Sequence, residues 1–284
     1  MLNSILIILG LLICFFLAVM AIDCNRFITV NYELKSKKIA KECTFVLLSD
    51  LHNKSFGKDN ERLIKKIDEI APDAVLAAGD MLTSAKGEKY VVAVRLMEQL
   101  GAKYPIYYGM GNHEHRMSLN HEYYGNSYEI YEKALHNAGI EPLINENVDM
   151  PSFNINICGL MIDRCYYRKF REYPMQENYL SDTIGQAKSD RFQILIAHNP
   201  DYFEEYVKWG ADLTVSGHVH GGLVRLPIIG GVVSPKLTLF PKYDGGRFEK
   251  DNKVMILSRG LATHTLPIRI FNPGELVVIH LSPA

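Results

Sequence analysis

Across 284 residues, 31 basic side chains are set against 32 acidic ones, and no long basic run interleaves with aromatics, so a nucleic-acid footprint is not expected. Five scattered cysteines, Cys14, Cys24, Cys43, Cys158 and Cys165, form no Cys-x-x-Cys pair, which argues against a disulfide framework and leans toward a reducing compartment. Setting aside an apolar start, roughly 250 residues remain, enough for one α/β core.

Residues 5–21 read ILIILGLLICFFLAVMA, about the length a bilayer-spanning helix needs. Three readings compete: an uncleaved signal anchor, a cleaved signal peptide and a buried core helix. Met1-Leu2-Asn3-Ser4 lacks the basic residue of a secretory n-region, and Asp23 before Cys24 spoils a lipoprotein box, so the expectation is a single-pass anchor over 1–26 and a globular domain over 27–284. Basic residues flank only its C-terminal side, at Arg26, Lys35, Lys37 and Lys38. The positive-inside bias then puts the domain on the cytoplasmic face.

Residues 28–34 alternate as a strand does, with a turn at Ser36-Lys37-Lys38, and 44–48 is a continuous apolar run of the kind a sheet covered on both faces needs. Asp59 is expected to cap a helix through about Ile70, whose apolar face is Leu63, Ile64, Ile67 and Ile70. The grammar repeats: strand 74–78, helix near 89–100, strand 106–110, helix near 124–138. Short strands follow at 153–158, 192–197, 213–216, 255–257, 268–271 and 276–281, with a short helix at 202–208, so a second sheet is expected. Residues 163–188 and 223–251 resist assignment and read as loops framing a site. Residues 223–233 have two readings, sheet core, which is favoured, or a membrane-proximal apolar lip.

Polar motifs stand where the apolar runs stop: Asp50-Leu51-His52, Gly79-Asp80, Gly111-Asn112-His113-Glu114, Ala197-His198-Asn199-Pro200 and Gly217-His218-Val219-His220. Parallel sheets gather ligand sites at strand carboxyl ends, so motifs far apart in sequence can share one site. Any one motif alone would be weak; the ordered set is not. Carboxylate, amide and imidazole donors without a cysteine pair suit Mn, Fe or Zn better than Ca²⁺ or an iron–sulfur cluster. Two such cations about 3.5 to 4 Å apart activate water and neutralise phosphoryl oxygens. They need a bridging anion, and Asp80 is the candidate because the preceding glycine permits a tight strand exit.

The order DxH, GD, GNH(D/E), lone His and GHxH resembles the calcineurin-like metallophosphoesterase superfamily, from about Cys43 to the C-terminus. The ending, with Gly221-Gly222-Leu223-Val224-Arg225-Leu226-Pro227 and Leu266-Pro267-Ile268-Arg269, is similar to the membrane-associated bacterial branch typified by the YaeI and YkuE phosphoesterases. The resemblance implies a four-layer α-β-β-α sandwich, one metal on Asp50, His52 and His220, a second on Asn112, His198 and His218, Asp80 bridging, and His113 acting on the leaving oxygen. One departure stands out: many relatives carry an Asp that orients this histidine where the chain has Thr83.

Arg164, Arg168 and His264 are candidate substrate contacts against a surface default, as His115 and Arg116 are. The resemblance and the anchor point to a phosphorylated small molecule or lipid-linked phosphate such as a UDP-2,3-diacylglucosamine-like substrate. The alternatives are a tethered phosphodiesterase or protein phosphatase on soluble substrates, and a non-catalytic scaffold.

Overall fold

A computed structural model describes residues 2–87, 90–168, 173–226, 228–234, 238–263 and 266–284. The first element, α1 (Leu2–Asp23), has 22 residues and a mean hydropathy of 3.3 in its most apolar window, none of which is buried against the rest of the chain. At 1.5 Å per residue it is about 33 Å long, close to the hydrocarbon thickness of a bilayer. A core helix would be covered by protein; this one is a candidate membrane span.

β1 (Phe27–Ser36) and β2 (Cys43–Leu48) lead into α2 (Glu61–Ile70), β3 (Ala74–Ala78), α3 (Val91–Gly101) and β4 (Ile106–Gly109). After β4 come α4 (Asn112–Ser118), α5 (His121–Tyr124), α6 (Ser127–Asn137) and β5 (Pro142–Leu143). The second half holds β6 (Glu146–Met150), β7 (Ile155–Leu160), α7 (Tyr179–Ile184), β8 (Phe192–Ala197), α8 (Phe203–Trp209) and β9 (Leu213–Ser216). It closes with β10 (Arg225–Leu226), β11 (Gly230–Gly231), β12 (Gly246–Lys250), β13 (Lys253–Leu257) and β14 (Gly274–Pro283).

The main strands form two six-stranded sheets, ordered β1-β14-β2-β3-β4-β5 and β12-β13-β9-β8-β7-β6. Strands β2 to β5 run parallel, as βα repeats dictate, and β14 enters antiparallel to β2 and parallel to β1. Alternate side chains explain the layers. Phe45 and Leu47 of β2 face Ile194 and Ile196 of the other sheet in one apolar cluster, while Val46 and Leu48 face α2, α3 and α6 in another. On the far side α7 and α8 cover the second sheet. The architecture is the expected α-β-β-α sandwich.

Several local expectations fail for identifiable reasons. Asp59 does not cap α2: Asn60 occupies the N-cap in a left-handed conformation, and Asp59 instead pairs with Arg95 at 2.6 Å. The helix expected over 124–138 breaks at Gly125, whose positive φ ends α5 before α6 begins. Residues 268–271 make a single bridge through Ile270 rather than a strand. There the Arg269 guanidinium turns inward and donates to the carbonyls of Arg259, Gly260, Ala262, Asn272 and Pro273, and Phe271 takes a φ of 56°. A side chain committed to that many loop carbonyls fixes a turn.

Candidate metal centre

All the expected ligand residues sit just past strand ends on one edge of the sandwich: Asp50 and His52 after β2, Asp80 after β3, Asn112 and His113 after β4, His198 after β8, and His218 and His220 after β9. The backbone turns sharply to aim them. Asp50, His52, Asp80, His218 and His220 all have φ between 45° and 74°, a left-handed region that costs L-residues roughly 1–2 kcal/mol each. Strain of this kind persists where surrounding structure over-determines it. The motif glycines are needed because there is no room for a side chain: a Cβ on Gly111 would lie 2.2 Å from Asp80 Oδ1, and one on Gly217 would lie 2.3 Å from Asp50 Oδ2.

Two triads of ligand-type atoms result, Asp50–His52–His220 and Asp80–His198–His218, each with its atoms within 4.8 Å of one another. A third, His52–Asp80–His113, overlaps them. Asp80 Oδ2 lies between the two halves, 3.1 Å from His198 Nε2, 4.0 Å from His52 Nε2 and 3.9 Å from His113 Nε2. Asp50 Oδ1 is 3.3 Å from His220 Nε2, and the two Nε2 atoms of His52 and His220 approach to 3.3 Å.

The imidazoles are oriented by their other nitrogen. His52 Nδ1 donates to Leu82 O at 3.1 Å, His198 Nδ1 to Ala78 O at 2.7 Å and His220 Nδ1 to Ala262 O at 2.9 Å. A carbonyl partner places the ring proton on Nδ1 and leaves the Nε2 lone pair facing the centre, which is how metal-ligating histidines are usually held. Asn112 Oδ1 is buried without a hydrogen-bond donor, a costly state for an amide oxygen unless a cation supplies the missing partner. The donor set therefore fits divalent metal.

His113 is held in the opposite sense. The Ser84 backbone N–H donates to its Nδ1 at 2.7 Å, with Ser84 Oγ 2.8 Å away and Arg116 Nη1 donating to that hydroxyl at 3.2 Å. An acceptor Nδ1 assigns the ring proton to Nε2, the atom turned toward Asp80. Ser84 thus takes over the orienting task that Thr83 does not perform. Asp80 is steadied in turn: its Oδ1 accepts the His113 N–H at 2.8 Å, and Glu114, fully buried, accepts from Asp80 N at 2.9 Å, Leu82 N at 3.1 Å and Tyr108 OH at 3.0 Å. Burial alone would raise Asp80, but the histidines around it hold its carboxyl well below the usual range. Burial alone would lower His198, yet Asp80 lifts it to about 9, so its Nε2 carries a proton that a bound metal would replace. Burial and the Asp80 charge push Glu114 up to about 7. Electrostatically the centre is an anion pair that binds positive charge.

Ser84, Arg116 and Tyr167 carry roles the motifs do not announce; the Tyr167 ring packs 5.2 Å from His218 and 6.3 Å from His198.

The calcineurin-like phosphoesterase family model matches residues 43–222. The chain belongs to that family. Among curated relatives, the chain is 25% identical to the uncharacterized metallophosphoesterase Cj0846 of Campylobacter jejuni over 89% of its own length and 62% of that protein's, so it spans under two thirds of that relative. It is 25% identical to the uncharacterized metallophosphoesterase YkuE of Bacillus subtilis, covering 83% of this chain and 78% of the other. It is 22% identical to the UDP-2,3-diacylglucosamine pyrophosphatase LpxG of Chlamydia muridarum, covering 82% of each. Its His and Asp clusters could hold divalent metal, in keeping with that family.

Beside His218 lies a cavity of about 830 Å³, lined by Arg168, Tyr173, Tyr202, Thr238, Lys242 and Tyr243 among others, within the size range of small-molecule sites. Arg168 therefore reaches the site's approach, with its Nη1 on Tyr173 OH at 2.8 Å. Arg164 is exposed on the preceding turn and is not among the cavity's lining residues. His264 lies outside the described residues.

Proposed function

We propose that this chain is a membrane-anchored, two-metal phosphohydrolase, with residues 1–26 as anchor and 27–284 as catalytic body on the cytoplasmic face. The observation that carries this reading is the pair of ligand triads meeting at Asp80 Oδ2. Asp50, His52 and His220 would hold one ion, Asn112, His198 and His218 the other, and Asp80 both. When bound, Mn, Fe or Zn supplies water activated near neutral pH and positive charge for phosphoryl oxygens. His113 contributes an Nε2–H aimed at the same space, positioned to donate a hydrogen bond to the departing oxygen. The backbone carbonyls behind His52, His198 and His220 keep each ring's proton away from the ions.

The lipid-linked phosphate or pyrophosphate class is supported by the exposed apolar helix and by the relative named as a UDP-2,3-diacylglucosamine pyrophosphatase. Purified full-length protein supplied with Mn²⁺ is expected to hydrolyse bis-p-nitrophenyl phosphate, and Asp80→Asn to abolish the activity. Indistinguishable rates for the two proteins would refute the enzyme reading. Comparing UDP-2,3-diacylglucosamine with cyclic nucleotides and phosphopeptides decides between lipid and soluble substrates. Protease protection in sealed vesicles tests the orientation.

A further inference from the structure

The junction of α1 with the domain is a built interface. Asp23, at the end of an otherwise apolar helix, is buried: its Oδ1 meets Arg26 at 2.8 Å and its Oδ2 accepts the backbone N–H of Asn272 at 3.0 Å. The Asn272 side-chain amide then donates to His220 O and Gly222 O, both at 2.7 Å. One residue thus connects the candidate membrane helix to an expected metal ligand. Farther up α1, Phe15 and Phe16 pack against Phe271 at 6.4 and 6.3 Å between ring centroids. Phe16 lies seven positions before Asp23, about 10 Å along the axis, so the 266–271 loop climbs alongside the apolar helix.

That loop is hydrogen-bonded to the segment after His220, through Arg225 N to Ile270 O at 3.0 Å and Ile270 N to Leu223 O at 3.3 Å. Together the two segments present Ile228, Ile229, Leu239, Phe240, Leu266 and Phe271 to the outside, Ile228 completely. Three of these, Ile228, Phe240 and Phe271, have positive φ, 71°, 48° and 56°. A left-handed β-branched residue is a rare, strained state, and exposed isoleucine also costs free energy in water. The exposure cost disappears where the surroundings are hydrocarbon. The other side of the same segment, Thr238, Lys242 and Tyr243, lines the cavity beside His218. The segment is apolar outward and polar toward the site.

We propose that residues 223–226, 228–234, 238–240 and 266–271 form a lip that inserts into the bilayer surface, held at fixed depth by the Asp23–Asn272 link. A phosphate carried on a lipid then enters the metal centre beneath the lip while its acyl chains stay in the membrane. Interfacial segments of this kind bury apolar side chains about 5–10 Å deep, matching the rise of Phe271 along α1. The entry route rests on the phosphohydrolase reading; the insertion does not.

The test uses the full chain in nanodiscs of phosphatidylethanolamine and phosphatidylglycerol, with plain or brominated acyl chains. Trp209 is the sole native tryptophan and gives the baseline. In Ile228→Trp, the added emission is expected to fall roughly twofold in brominated discs, as for an interfacial side chain; equal emission in both discs overturns the lip. The pair Ile228→Glu, Ile229→Glu is expected to slow hydrolysis of bilayer-borne UDP-2,3-diacylglucosamine about tenfold, the cost of losing one apolar contact with lipid, while soluble bis-p-nitrophenyl phosphate is cut at the wild-type rate. Equal rates on both substrates, or an equal fall on both, overturn the entry route. If wild type cuts neither substrate but Ile228→Trp is quenched, the reaction assignment fails and the insertion stands.

Discussion

Glu114→Gln isolates the brace beneath Asp80. The carboxylate accepts two backbone N–H groups and the Tyr108 hydroxyl, and Tyr131 donates to that hydroxyl at 3.1 Å. Glutamine has one carbonyl oxygen and one NH₂ in the same volume, so at least one buried donor must face another donor. A hydrogen bond to a charged acceptor is worth about 1.5–3 kcal/mol, and an unsatisfied buried donor costs a similar amount. Relief of the repulsion between Glu114 and Asp80 offsets part of this, leaving roughly 2–3 kcal/mol of lost stability. At about 2–4 °C per kcal/mol for a chain of this size, Tm should drop by roughly 5–10 °C. Because the loop displaced is the one bearing Asp80, activity should fall about 10- to 100-fold, the range for groups that orient metal ligands. Tyr108→Phe removes the third donor and leaves the buried Tyr131 hydroxyl without its acceptor, so it should cost about 1–3 kcal/mol with little loss of activity. Thermal unfolding and Mn²⁺-dependent hydrolysis measured on both variants decide the matter: wild-type Tm and wild-type rate in Glu114→Gln would refute the brace.

Gly111→Ala should lose metal, counted by elemental analysis of the purified protein, and about 1–3 kcal/mol of stability, because its Cβ would stand 2.2 Å from Asp80 Oδ1. Metal-free protein should lose stability as pH rises from about 6.5 through 9: the His198 pKa is raised in the fold, so its contribution is complete below the unfolded value and lost above the folded one. Saturating Mn²⁺ or Zn²⁺ should raise Tm and flatten this slope, by about 2.7 kcal/mol at a hundredfold excess over Kd; a slope unchanged by metal would count against ions binding at His198. Burial pushes the Cys43 and Cys158 thiols up to about 12, so neither should react with a thiol reagent at pH 8 until the protein unfolds. Early labelling of either, read by peptide mapping, contradicts the packing described.

The central strands were legible because a strand covered on both faces needs an unbroken apolar run, and 44–48, 74–78 and 192–197 provide one. The edge strands β6, ENVDM, and β12, GRFEK, were not, since half-exposed edges tolerate polar residues that read as loop. The same asymmetry holds at the site. Ligand side chains announce themselves by type and spacing, whereas Ser84 works through a backbone N–H that every residue but proline possesses. Arg269 and Asn272 were illegible for a related reason: they bind carbonyls, and which carbonyls converge is known only once the chain is folded.

Asp50, Asp80, Asn112 and His113 come from the first sheet, and His198, His218 and His220 from the second. A cation shared across Asp80 and His198 therefore fastens two sheets whose facing sides meet in one apolar cluster. Left-handed ligand residues, crowded glycines and a buried carboxylate pair all make the metal-free edge the least comfortable part of the sandwich. The backbone strain is present with or without metal, but the cost of the buried carboxylate charge falls on the state without metal, so relieving it adds to the affinity for the ions. Coupling through Asn272 carries this to α1, since ordering His220 also orders the carbonyl that the anchor junction holds. Metal occupancy and the seating of α1 should accordingly favour one another, a linkage that Asn272→Ala would cut by freeing His220 O and Gly222 O at once.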